Sequence, residues 1–550
     1  MNDRWVQMMI VSVLVLVSGT SSTWAQIEGS PHDLSAVVGG ATCSFCHTPH
    51  GALAGTPLWS HKLSTAVYQI YQSSSLEAEV GQPTGSSKLC LSCHDGTVAL
   101  TESLTSGVTG STYIAPGSAN LGTDLSDDHP ISFVYSSTLS ARDPYIRPPS
   151  TLPEQLKLDR SNELQCTTCH DPHDNRFGDF LVMPNDRSRM CTSCHDLTGW
   201  IASSHESSNV PVGAANDPYL QGSPHGTLAD AACAACHQPH GAGGSERLLH
   251  FARSEDNCLN CHDGSVARTN IRADLAKFSR HDVVQYEGIH DPRETPGAVP
   301  THVECVDCHN PHAVQQSTTQ APLIQAAMQG ASGVTTSGAA IQNAQFEYEV
   351  CFKCHADSAD RVGPVVTRQI TQPNVRLAFD PSGPSFHPVT APGTNQQVPS
   401  LKPPMTVATQ IYCSDCHSSD SSSLAKGPHG SVYPHLLAYR YEMSDFTQEN
   451  STSYELCYQC HSRNSILNDE SFPRHKEHLE DGIPCSACHD PHGISASQGT
   501  ALNNSHLINF DIAIVQPDPN TGRLEFEDLG VFHGQCFLSC HGNRHSPGDY

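Results

Sequence analysis

The chain has 550 residues, a formal net charge of −27, 37% hydrophobic and 6% aromatic residues, and 24 cysteines. So acidic a chain excludes nucleic acid as a partner and favours basic patches on other proteins. So few apolar side chains at this length leave a core that something other than side chains has to fill.

The first 25 residues read as an export signal. Arg4 stands in a short polar start, an apolar run covers 6–17, and Thr23 and Ala25 stand at −3 and −1 of a cleavage site after Ala25. That run is shorter than the ~20 residues a bilayer-spanning helix needs, and no later segment is apolar enough to cross. The first cysteine is Cys43, too distant for a lipid anchor at the cleavage point. The expectation is an exported chain, in the periplasm or at the cell surface, that does not span a membrane.

The cysteines then come in pairs, two pairs to a unit. Residues 26–150 carry Cys43/Cys46 with His47 and Cys90/Cys93 with His94. Residues 151–222 carry Cys166/Cys169 with His170 and Cys191/Cys194 with His195. Residues 223–280 carry Cys233/Cys236 with His237 and Cys258/Cys261 with His262. Residues 281–380 carry Cys305/Cys308 with His309 and Cys351/Cys354 with His355. Residues 381–550 hold two units: Cys413/Cys416 with His417 and Cys457/Cys460 with His461, then Cys485/Cys488 with His489 and Cys536/Cys540 with His541. The first unit, CSFCHTPHGA…CLSCHDGTVA, is nearly repeated in the third, CAACHQPHGA…CLNCHDGSVA, which predicts a string of similar modules. Between motifs, helices are expected over 152–164, 322–328 and 341–354. Residues 315–340 read as a flexible connector or as a loop on the core. Near the end, LINFDIAIV and RLEFEDL flank PDPNTG, which predicts a hairpin.

The twelve pairs use every cysteine, and a histidine follows the second cysteine each time. Disulfides and structural zinc leave that histidine unexplained, and a thioredoxin-like dithiol needs one pair rather than twelve. C-x-x-C-H is the attachment pattern of haem c: two thioethers hold the porphyrin edge and the adjacent histidine ligates the iron. Eleven copies have this form. The twelfth, CFLSCH, has one residue more between its cysteines and is expected to hold a haem too.

About twelve haems need twelve further axial ligands. After the export signal only five methionines remain (Met183, Met190, Met328, Met405 and Met443), whereas 22 of the 34 histidines are free of the motifs, so bis-histidine iron is expected. Five motifs continue as CxxCH-x-P-H and supply His50, His173, His240, His312 and His492. A histidine three residues past the proximal one cannot reach the far face of its own porphyrin, so it is assigned to a neighbouring haem. Turn-like contexts add His32, His129, His225, His387 and His429. His290 is preferred to His281 and His302, and His478 to His475, with His205, His506, His533 and His545 in reserve. In the fifth unit Asp420 stands where the extra histidine would be, and His429 is the substitute.

The runs CHTPHGA, LCLSCHDG, DDHPISF, CVDCHNPH, GPHGSVYPHLL and CHDPHG resemble multihaem c-type cytochromes with doubled CxxCH motifs, typical of metal-reducing and related respiratory bacteria. The resemblance implies a loop-rich, mostly irregular fold with short helices wrapped around a haem core. It also implies covalent haem c and long-range electron transfer outside the cytoplasm. Expected partners are other redox proteins or multihaem cytochromes, extracellular metal oxides or electrodes, and copies of the chain in a homopolymer. Electron carriage is the favoured function. A nitrite- or hydroxylamine-converting oxidoreductase with one open haem, or a filament subunit, is the alternative.

Overall fold

The computed structural model describes residues 27–38, 41–104, 111–285, 302–358, 363–421 and 425–550. The export signal and His290 lie outside them. Among the described residues no helix is long and apolar enough to cross a membrane.

Regular structure is short, and several of the helices coincide with a motif. The principal helices are α1 (Gly85–His94), α2 (Cys166–Cys169), α3 (Arg189–Cys194), α4 (Cys305–Cys308), α5 (Glu347–His355) and α6 (His475–Glu480). A CxxCH run folds as a single helical turn, closed by the histidine N–H donating to the carbonyl of the first cysteine. The bond is 3.0 Å for His47 to Cys43, 2.9 Å for His170 to Cys166 and 3.0 Å for His489 to Cys485. The side chain just before the second cysteine often caps this turn. Gln165 N–H donates to Thr168 Oγ1 (3.1 Å), Glu304 N–H to Asp307 Oδ2 (2.8 Å) and Tyr412 N–H to Asp415 Oδ2 (2.8 Å). A reciprocal cap of this kind satisfies donors that a one-turn helix would otherwise leave bare.

The C-terminal end departs from this pattern. Strands β1 (Val515–Gln516), β2 (Glu525–Gly530), β3 (His533–Cys540) and β4 (Asn543–Asp549) form an antiparallel sheet with β3 pairing all three others. The expected strands near 515 and 525 exist, yet they do not pair with each other: both pair with β3, the strand that carries CFLSCH. Extended backbone, with β-branched and aromatic residues around it, wins there over the helical turn of the other motifs. The helix expected over 152–164 is absent, replaced by a 3-10 turn at Pro149–Thr151 and a two-residue strand at Glu163–Leu164. The patch over 322–328 is helical only at Ala326–Met328, and that over 341–354 only from Glu347. Residues 315–340 are a packed loop rather than a loose connector, with Ile324, Ala326, Ala331 and Val334 buried.

Apolar side chains gather in small separate clusters. Val334, Tyr348, Phe352, Phe379 and Phe386 form one, and Phe472, Ile483, Phe510, Val515 and Phe526 another. Between such clusters runs one continuous cavity of about 4610 Å³, lined from Ile27 to Tyr550. That is several times the ~300–1,000 Å³ of a single small-molecule site. Buried charge fastens loops to its wall. The Arg368 guanidinium donates to the carbonyls of Ser486 (2.5 Å), Asn509 (2.8 Å) and His489 (2.9 Å), tying residues 363–371 to the motif at Cys485. Lys277 Nζ bridges the fully buried Asp274 (2.6 Å) and Asp420 (2.8 Å), which employs the residue found in place of the fifth unit's extra histidine.

Candidate cofactor sites and their axial histidines

Eleven of the motif histidines line the cavity, and ten of these meet another histidine there. Ring centres lie 6.1 Å apart for His47–His173, 6.0 Å for His94–His32, 6.2 Å for His170–His240 and 6.3 Å for His195–His129. They lie 6.2 Å apart for His237–His312, 6.3 Å for His262–His205, 6.0 Å for His309–His429 and 6.2 Å for His355–His281. His417–His492 stand at 6.0 Å and His489–His475 at 6.3 Å. Burial lowers the pKa of His461 to about 4, and nearby His387 adds to the effect in the same direction. A metal–nitrogen bond of about 2 Å on each face, plus about 1 Å from nitrogen to ring centre, separates two imidazoles sharing one iron by about 6 Å. Direct ring stacking would be closer, as the 4.2 Å between His32 and Phe180 illustrates.

Hydrogen bonding orients these rings. Nδ1 of His47 donates to the Pro57 carbonyl (2.6 Å), that of His94 to Ala119 (2.7 Å) and that of His309 to Ala327 (2.7 Å). On the opposing side His32 donates to Pro172 (3.2 Å), His205 to Pro311 (2.9 Å) and His387 to Pro491. Two use carboxylates: His240 donates to Asp128 (2.9 Å) and His173 to Asp171 (3.0 Å). Fixing Nδ1 as the donor leaves Nε2 as the free ligand atom. Burial also favours the neutral, ligand-competent ring, lowering His262, His281 and His429 to about 4 and His312 and His489 to about 3. The residues fit haem c at these sites: a helical turn with two sulfurs, one imidazole beside it and a second about one iron's width away.

A family model of the doubled CXXCH motif matches residues 160–199, 225–267 and 405–465. The multiheme cytochrome MtrA of Shewanella baltica (strain OS185) is 24% identical over 209 residues, 35% of this chain and 43% of that relative. Both matches support a multihaem c-type cytochrome with doubled CXXCH motifs. The match spans less than half the length of that relative.

The cytochrome pairs its histidines by rule. At the first, third, fifth and ninth motifs, the opposing ring comes from the CxxCH-x-P-H of the next unit: His173, His240, His312 and His492. At the seventh, His429 takes that place, nine residues after Asp420 in the sequence. At the second, fourth, sixth and eighth, the ring comes from a segment preceding the unit's first cysteine pair: His32, His129, His205 and His281. The eleventh motif faces His475 from α6 instead.

Four preferences from the sequence meet a different arrangement. His225 is half-buried away from the cavity lining, and His205 takes the place opposite His262. His281 stands opposite His355, and the preferred His290 lies outside the described residues. His475 rather than His478 faces His489. His50 is exposed and does not line the cavity: the rule would send it to a unit before the first. Burial alone does not mark a ligand. Buried His61 has Nε2 bonded to the Ala99 carbonyl (3.0 Å), and buried His250 is bonded through Nδ1 to Asp217 (2.7 Å).

Successive motifs touch in chain order. The Cys90 sulfur lies beside that of Cys166, Cys191 beside Cys233, Cys258 beside Cys305 and Cys351 beside Cys413, each pair close enough to shift the other's titration. Within units, burial raises Cys93 to about 12 with help from Cys46, Cys169 to about 12 with help from Cys194, and Cys236 to about 12 with help from Cys261. Burial and then Cys457 raise Cys416 to about 12; the same two causes raise Cys485. Cys540 adds in the same way to the raised Cys488. The motifs thus follow one another along the cavity without skipping.

Proposed function

We propose that this cytochrome is an exported electron carrier in which about twelve haems c form a single file from Cys43 to the C terminus, passing electrons in respiratory or extracellular transfer. The observation that carries the reading is the series of paired imidazoles about 6 Å apart along one cavity. Iron held between two imidazoles has no open position, which suits electron transfer and excludes substrate. Cys43, Cys46, Cys90 and Cys93, and their counterparts through Cys488, supply the thioethers. The protein's part is to space the haems, keep their iron ligated and set the electrostatic surroundings.

The acidic surface suits basic docking faces on redox partners. His32 and His545, the histidines nearest the two ends, face His94 and His478 of the same chain, which weighs against their serving a neighbouring subunit's iron in a filament.

Intact mass and spin state of the purified protein test the reading together. The expected result is about twelve haem additions with low-spin iron throughout, unaffected by cyanide or nitrite. A five-coordinate haem that binds either ligand would favour the oxidoreductase instead.

A further inference from the structure

We propose that Asp128 is a positioning residue that, through Nδ1 of His240, makes the iron beside His170 the last in the file to accept an electron. This deepens the proposed electron carriage and rests on it.

In most units the two opposing histidines are joined by one bond. Nδ1 of His32 donates to the carbonyl of Pro172, the residue before His173 (3.2 Å). His205 donates in the same way to Pro311, before His312 (2.9 Å), His281 to Pro428, before His429, and His387 to Pro491, before His492. The second unit reverses the arrangement. There the Pro239 carbonyl, before His240, accepts the backbone N–H of His129 (2.8 Å), and Nδ1 of His129 turns to the Pro130 carbonyl (3.0 Å). Asp128, the residue before His129, accepts from Nδ1 of His240 (2.9 Å). The Ala242 N–H donates to the Asp127 carbonyl (3.0 Å), so the two segments are clamped on both sides of that contact.

Burial gives the contact its weight. The Asp128 side chain is 6% exposed, and among the described residues no lysine or arginine pairs with it. A buried carboxylate needs an opposing charge. Ferric iron in a porphyrin between two neutral imidazoles carries one net positive charge, and ferrous iron carries none. Asp128 therefore favours the oxidised form, and by drawing on the Nδ1 proton it makes His240 the stronger electron donor to iron.

Two other rings mark the contrast. His173 also bonds to a carboxylate, but it and Asp171 are each 48% exposed, where water screens the charge. Nδ1 of His429, the corresponding ring of the fourth unit, is buried without a hydrogen-bond partner. The iron beside His309 should accordingly accept its electron earlier than the iron beside His170.

The test is a reductive titration of full-length holoprotein followed by optical spectroscopy, with intact mass and spin state recorded alongside. Asp128→Asn keeps an oxygen for the Nδ1 proton and removes the charge. It should retain every haem and stay low-spin, while the last-reduced component shifts by about tenfold in its ferrous-to-ferric ratio, ~59 mV upward for one electron. His240→Met assigns that component, because Met/His ligation should lift the same one. Asp263, next to His262, accepts from the Ser265 N–H (2.9 Å) and not from a ring, so Asp263→Asn should leave the component in place. If Asp128→Asn yields no holoprotein, Asp128→Ser is read against the same outcomes. The proposal is overturned if Asp128→Asn leaves the titration unchanged or turns an iron high-spin. It falls equally if Asp263→Asn shifts the component as far, or if His240→Met lifts a different one. A wild-type protein without haem would instead bring down the proposed function, a separate outcome.

Discussion

His173 is bonded through Nδ1 to Asp171 and presents the rest of its ring to His47, a residue of the preceding unit. Replacing it by alanine should leave the haem count unchanged, because no thioether is lost, while the iron beside His47 becomes high-spin. Mass spectrometry and low-temperature spectroscopy read the two effects separately. A sharper comparison is His205→Ala against His225→Ala. The first should expose the iron beside His262 to added cyanide, and the second should leave every spectrum as it was. Both histidines sit in polar, turn-rich sequence, and what separates them is the Pro311 carbonyl that orients His205 from a distant part of the chain. That contact has no local signature, which is why the sequence pattern favoured His225. The spacing CxxCH-x-P-H, by contrast, made His173, His240, His312 and His492 legible, because it is stereochemically unable to serve its own haem.

At the scale of the element, a four-residue helical turn has too few internal bonds to persist alone, so caps and buried charge hold it. Arg368 is the largest such tie. Arg368→Leu would leave three carbonyls around the eleventh motif without donors and should lower stability by about 3 kcal/mol, read as a fall in the denaturant midpoint of the holoprotein. Lys277→Met would strand the buried Asp274 and should cost about 3–5 kcal/mol by the same measurement. Ring orientation is also set by elements. His47–His173, His237–His312, His309–His429 and His417–His492 are nearly parallel, at 14° to 22°, whereas His94–His32, His195–His129 and His262–His205 cross at 63° to 77°. Parallel axial rings split the iron d orbitals together and crossed rings oppose one another. Two extremes of low-spin resonance are therefore expected in the frozen ferric protein, with His170–His240 at 42° and His355–His281 at 44° between them.

Over the whole molecule, the side-chain clusters are small and the space between them is the cavity that the cofactors would fill. Expression without haem attachment should therefore yield a chain without cooperative unfolding, because the buried apolar area is too small to offset chain entropy. Circular dichroism during thermal melting checks this. With a charge of −27, electron exchange with a basic partner should slow as salt is added, whereas exchange with a neutral one should not.

The sequence by itself determined the attachment chemistry, the number of motifs, their duplication and the scarcity of side-chain core, because each CxxCH is a covalent site complete within five residues. It also marked unit five as exceptional through Asp420, and the structure gives that carboxylate to Lys277. Only the tertiary structure decided which histidine faces which iron site, since the opposing ring arrives from a neighbouring unit or an upstream loop and its approach depends on carbonyls such as those of Pro172, Pro311 and Pro491. The same holds at the C terminus. CFLSCH differs from its neighbours by one residue, and pairing with β1, β2 and β4 turns that residue into a change from helical turn to strand.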